Sequence, residues 1–147
     1  MRTVTFSMEF RGQSTPLMPG VISARGTAPS GALLTRIDGE GVHGAFEPTD
    51  GAEALLERRL TFLSETTFED AGTISFGGGN AVRFRSVGLG QFGPSPAPGL
   101  RQGTVAWAVD GGAGTLEHAA GRIVSNFLVS DRGELTDRQL GVLFIGA

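Results

Sequence analysis

Apolar and polar residues alternate along most of this chain with a period of two. Thr3-Val4-Thr5-Phe6-Ser7-Met8-Glu9-Phe10-Arg11 has an apolar residue at every second position. That is the pattern of a half-buried strand, because successive side chains of a strand point to opposite faces. Thr73-Ile74-Ser75-Phe76 and Ala81-Val82-Arg83-Phe84-Arg85 alternate in the same way. Gly77-Gly78-Gly79-Asn80 between them supplies residues that accept positive φ, so the two segments predict a β-hairpin. Further strands are predicted over Gly103 to Val109, Arg122 to Ser130 and Glu134 to Ile145, with Asp131-Arg132-Gly133 as a turn.

Other segments read less simply. Residues 12–31 hold three Pro and four Gly and predict a long loop. Val42 to Phe46 predicts a short strand. Residues 54–67 fit two patterns. Leu56, Leu60 and Leu63 make a helical stripe, whereas Leu56, Leu60 and Phe62 share strand parity. The Thr-rich end and the surrounding strands favour a strand. Residues 92–99, Phe-Gly-Pro-Ser-Pro-Ala-Pro-Gly, are expected outside any sheet, since proline cannot donate to a ladder. Seven or eight strands with short connections predict one all-β domain over residues 1–147. An antiparallel eight-stranded barrel is favoured, because closure removes exposed edges. Such a barrel is filled by side chains or holds one small ligand. The Pro-rich segments Ser14 to Gly20 and Phe92 to Gly99 are candidate lids over one mouth.

Composition narrows the chemistry. The chain of 147 residues has no Cys and no Tyr, and all 12 basic residues are Arg. Disulfides, thiolate nucleophiles, Lys Schiff bases and Tyr general acids are therefore excluded. His43 and His118 are the two His, too few for a three-His metal site. No metal or cofactor is expected. A net charge of −3 with scattered Arg gives no footprint for nucleic acid. No apolar run is long enough to span a membrane as a helix. The N-terminal stretch carries Glu9 and Arg11 and does not read as a signal peptide. A cytoplasmic protein is expected.

Candidate pocket residues follow from parity. Phe6, Met8 and Phe10 share one face of the first strand. Phe62, Phe76, Phe84, Phe127 and Phe144 each lie on an apolar face, as do Val105 and Trp107. Trp107 is the sole Trp, large and flat enough to stack on a conjugated guest, and its N–H needs a partner when buried. Ser125 shares parity with Ile123 and Phe127, and Gln139 with Leu143 and Ile145. Either can donate to a substrate carbonyl. Val124, Leu128, Leu140 and Val142 put apolar residues on more than one face, and a homo-oligomer, a dimer first, is expected.

The segment Gly111-Gly112-Ala113-Gly114-Thr115-Leu116-Glu117-His118-Ala119-Ala120-Gly121, with the strand Arg122 to Val129 and the tail Gly133 to Phe144, resembles the signature of allene oxide cyclase-like and dirigent-like β-barrels. Gly72 to Phe76 and Gly103 to Trp107 fit the same layout. The likeness spans roughly residues 54–145 and is closest in character to the bacterial spirotetronate cyclases. It implies a greasy barrel that folds a reactive molecule without a cofactor, and it places a pocket indole at Trp107. The reaction so implied is an intramolecular [4+2] cycloaddition on a polyketide-like chain, a Diels–Alderase of natural-product biosynthesis. The alternatives are an oxygen-ring cyclase or isomerase using a bound water, a carrier of a hydrophobic molecule, and a dirigent-like interaction protein. A cycloaddition suits this composition, since it needs no nucleophile and no proton transfer. Correct positioning alone can lower such a barrier by roughly 7–11 kcal/mol.

Overall fold

A computed structural model of the chain describes residues 1–146. The described residues make eleven strands, β1 (Arg2–Met18), β2 (Val21–Ala28), β3 (Gly31–Asp38), β4 (Gly41–Pro48), β5 (Ala54–Phe62), β6 (Thr67–Gly77), β7 (Asn80–Ser86), β8 (Gly90–Pro94), β9 (Leu100–Ala113), β10 (Ala120–Ser130) and β11 (Glu134–Ile145). Eight of them close a ring in the order β1, β2, β5, β6, β7, β9, β10, β11 and back to β1. Every pairing is antiparallel. The predicted eight-stranded barrel is therefore the fold. Within residues 54–67, Ala54–Phe62 form strand β5, not a helix, and Thr67 begins β6. Among the described residues no helix is long and apolar enough to cross a membrane.

Three expectations change. Residues 12–31 are not a loop. β1 runs on to Met18 and turns through Gly20 into β2. Its first part pairs with β11 and its last part with β2. The prolines fit because Pro16 sits at a register shift while Pro19 and Pro29 fall between strands. Gly12 is what lets the two strands meet, since a Cβ there would lie 1.8 Å from the carbonyl oxygen of Arg25. The second change is at Val42 to Phe46, which is half of a hairpin arm, β3–β4, standing outside the barrel. The third is β8. It pairs with β9 and β6 at a sheet edge, where Pro94 as the last strand residue is tolerated.

The inward parity of each barrel strand fills the interior. Phe10, Leu56, Phe68, Ile74, Val82, Trp107 and Ile123 are fully buried. Phe144 corrects an expectation. It pairs with Thr3 and Ala120 and is 43% exposed on the outer wall, while Leu143 and Ile145 point inward. The run Val142 to Ile145 is apolar at both parities, so its pattern alone does not say which face is inside.

Candidate functional site

A charged layer crosses the middle of the barrel. Arg58 on β5 sits at the inward parity of Leu56 and Leu60 and is 3% exposed. Asp70 takes the inward parity of Phe68 on β6, and Asp137 that of Leu135 on β11. Arg58 Nε donates to Asp70 Oδ2 at 2.9 Å, and Nη2 donates to the same oxygen. Arg58 Nη1 donates to Ser125 Oγ at 3.0 Å and to Asp137 Oδ2 at 3.1 Å. A guanidinium has five N–H donors, so these four bonds leave one on Nη2.

The predicted polar residues gather in this same layer, turned toward the carboxylates. Ser125 Oγ donates to Asp137 Oδ1 at 2.7 Å. Gln139 Nε2 donates to Asp137 Oδ2 at 2.8 Å, while its buried Oε1 has no partner. Trp107 Nε1 donates to Asp70 Oδ1 at 2.8 Å. Its indole is stacked by Phe84, with centroids 3.7 Å apart, and covered by the Arg58 guanidinium at 4.7 Å. Both faces of Trp107 are thus occupied by protein, and it does not present a free face to a guest. Ser125, Gln139 and Trp107 hold the carboxylates that hold Arg58.

Burial pushes the Asp70 carboxyl above its ordinary value of 3.8. The Arg58 charge and the hydrogen bonds from Arg58 and Trp107 pull it down, and the nearby Asp137 adds to the rise. Two carboxylates face one guanidinium, so the layer has an excess acidic group in a place that disfavours charge.

A cavity opens toward each end of the barrel, the first largely apolar and the second partly polar, with Arg2, Ser7, Ser30, Asn80 and Thr115 in its lining. The first, about 200 Å³, is lined by Ile22, Leu60, Phe62, Phe92, Phe127 and Leu135, with Arg58 as its one charged residue. Its aromatic wall is continuous. Phe62 meets Phe92 edge-on at 5.4 Å, Phe92 stacks on Phe127 at 6.1 Å, and Arg58 lies 4.8 Å over the Phe127 ring. Ser14, Gly20 and Phe92 line this chamber too, so the two Pro-rich segments do converge on one mouth. The second chamber, about 420 Å³ at the opposite end, is lined by Val4, Phe6, Met8, Phe76 and Leu143 among others. It is larger but reaches none of the charged layer.

The expected pocket residues therefore divide. Phe62 and Phe127 line the first chamber, and Phe6, Met8 and Phe76 line the second. Phe10, Phe84 and Val105 are packed core outside both. Phe144 is on the outer wall. Arg58, Asp70 and Asp137 carry the electrostatics, and the sequence reading does not single them out. Their signal was a charged residue at the inward parity of an otherwise apolar strand, three times over.

Among the described residues, one metal-like cluster lies away from the barrel interior. Asp38, Glu40 and His43 bring ligand-type atoms within 4.8 Å of one another. His43 Nε2 lies 3.1 Å from Asp38 Oδ1 because the arm folds back on itself, a proximity that spacing along the chain did not reveal. The group lies at the arm's tip with Arg36 Nε 3.6 Å from Asp38.

No family model matches the chain, and no curated protein matches it in sequence. Among solved structures, the pterocarpan synthase dirigent protein GePTS1 is similar, with a TM-score of 0.52 at 13% identity, covering 99% of this chain and 87% of that one. At that identity the likeness establishes the barrel fold.

Proposed function

We propose that the protein is a cofactor-free cyclase that folds an apolar, oxygen-bearing small molecule in the Arg58 chamber. The observation that carries this reading is that Arg58, a buried guanidinium with one N–H left over from its four hydrogen bonds, is the single charged residue lining a largely apolar cavity. The Phe62, Phe92 and Phe127 wall excludes water and limits the conformers of the guest. Arg58 Nη2 donates to a carbonyl oxygen of the guest. In an intramolecular [4+2] cycloaddition two carbon–carbon bonds form, with no leaving group and no proton moved. The donor withdraws electrons from the dienophile as charge develops on the oxygen. Because Asp70, Asp137, Ser125 and Trp107 fix the guanidinium beforehand, little reorganisation is needed at the moment of reaction.

Size restricts the guest. Drug-sized ligands occupy roughly 300 Å³ or more, and this chamber has about 200 Å³. It takes a compact molecule or the reacting end of a longer polyketide-like chain. A second reading is closure or opening of an oxygen ring. The excess carboxyl group favours it, because a cycloaddition needs no acid. The similar solved protein is named for a synthase, which supports a reactive role over passive carriage.

A ten-carbon linear trienone tests the proposal. Its cyclisation should be accelerated, with one stereoisomer enriched, and the rate should be flat with pH. Ile22→Trp, which fills the mouth, should abolish the acceleration in a folded protein. Arg58→Lys should lower it by roughly 10²-fold. Tight binding of the trienone with no acceleration would mean a carrier and overturn the cyclase reading. Turnover of an epoxide probe whose rate falls as pH rises, with the trienone untouched, would select the oxygen-ring reading.

A further inference from the structure

The cavity at the far end of the barrel from Arg58 takes no part in the proposed cyclisation. Its floor follows from the register of β1 and β11. Val4 lies opposite Leu143 and Phe6 opposite Gly141, so these residues share the inward face. Gly141 has no side chain, and the Phe6 ring fills the space that a Cβ there would need. Phe6 meets Phe76 of β6 edge-on at 6.0 Å. Deeper in the barrel, Met8 and Phe10 on the same face of β1 are buried. Val4, Phe6 and Phe76 also point inward, yet they are only half-buried. A close-packed interior would cover them. Instead about 420 Å³ stands open beside them, within the roughly 300–1,000 Å³ of small-molecule pockets.

The rim of this cavity is polar. Arg2 lies opposite Ile145 and so on the inward face at the mouth, where it is exposed. It is the one charged residue of the lining, which holds no Asp or Glu. Asn80 Oδ1 accepts from the Thr115 N–H at 2.9 Å and from the Thr115 hydroxyl at 3.0 Å. Its amide nitrogen is left as a donor. Ser30 Oγ donates to the Ala52 carbonyl at 2.7 Å and ties two connections of the rim together. An apolar floor under a rim with a cation and an amide donor suits a molecule that is apolar except for one terminal anion.

We propose that this cavity is a second binding site, separate from the Arg58 chamber, and that it takes an apolar monocarboxylate of medium length. The body of the acid lies on Phe6 and Phe76. The carboxylate stays at the mouth and pairs with Arg2. The reverse orientation would strip a carboxylate of water against Val4 and Leu143, with no donor there to replace it.

Calorimetric titration of the full chain with decanoate at pH 7, below the concentration at which decanoate self-associates, tests the proposal. The unaltered protein should bind one decanoate per chain. It should prefer decanoate to decyltrimethylammonium, which has the same tail and the opposite charge. Arg2→Gln should weaken decanoate binding about 5-fold, the effect of one solvent-exposed ion pair, and erase that preference. Ala52→Trp sets a ring in the mouth from an exposed position and should abolish binding. Ile22→Trp, which fills the Arg58 chamber, should leave it unchanged. Loss with Ile22→Trp and retention with Ala52→Trp would put the acid in the Arg58 chamber and overturn the proposal, whatever the trienone assay gives. Any other division between these two variants overturns it as well. So do equal affinities for the two amphiphiles, an Arg2→Gln variant that binds decanoate like the parent, or a titration without saturable binding. Circular dichroism verifies that each variant folds, and Ala52→Phe replaces Ala52→Trp if the larger ring prevents folding.

Discussion

Replacing Arg58 with Met removes the one cation of the buried layer and keeps most of its volume. Four hydrogen bonds disappear with it, two to Asp70, one to Ser125 and one to Asp137. Asp70 keeps the Trp107 donor, and Asp137 keeps Ser125 and Gln139. Two carboxylates then remain buried without a cationic partner. Breaking a buried pair in this way costs about 3–5 kcal/mol. For a chain of this size the melting temperature should fall by roughly 6–20 °C, at about 2–4 °C per kcal/mol. Urea unfolding followed by Trp107 emission and circular dichroism at pH 7 measures the loss. The pH dependence identifies its cause. Burial already holds the Asp70 carboxyl above its ordinary 3.8, and Arg58 is the main influence pulling it back. Without Arg58 the folded value rises further. Between the unfolded and folded values the native state binds more protons than the unfolded chain, so stability falls as pH climbs through that window. The deficit of Arg58→Met should therefore be largest at pH 7 and shrink toward pH 4. A variant as stable as the parent at pH 7, or a deficit equal at both pH values, would refute the view that Arg58 neutralises ionised carboxylates in the core.

The unaltered protein should show the same sign in weaker form. The Asp70 contribution is greatest below 3.8 and declines as pH rises through its raised folded value, and this decline should vanish in Asp70→Asn when unfolding free energies are compared across pH. Trp107→Phe takes the 2.8 Å donor from Asp70 Oδ1 and should cost about 1–3 kcal/mol in urea unfolding followed by circular dichroism; an unchanged midpoint would mean that the N–H contributes nothing to the layer. Gly112→Ala would set a Cβ 1.8 Å from the Ala81 carbonyl oxygen. Because the atoms it meets are backbone of Ala81 and Val82, it should leave no soluble folded protein or cost more than about 4 kcal/mol by denaturant titration.

The sequence by itself determined the barrel and most of its strands, but not β2, which read as loop. Alternation of period two is a local property, legible in β1, β6, β7 and β9, whereas β10 and β11 carry apolar residues at both parities. The glycines of the Gly111 to Gly121 bend were legible for a related reason. Gly111 at φ 69° and Gly114 at φ 63° adopt conformations that other residues resist. Pairing across the ring decided the rest. Pro16 and Gly12 read as loop residues until β2 and β11 supplied partners for their strand. Phe144 and Leu143 were equivalent in pattern until neighbouring strands fixed which face is inside. Arg58, Asp70 and Asp137 lie on three strands, 12 and 67 residues apart in succession, and each alone looks like a surface charge out of phase. Only ring closure brings them within hydrogen-bond distance, where a guanidinium and two carboxylates become mutually tolerable in a core that would exclude any one of them. Trp107 shows the same division. Its burial followed from parity, but Phe84 and Arg58 decided that both faces of the ring are occupied by protein.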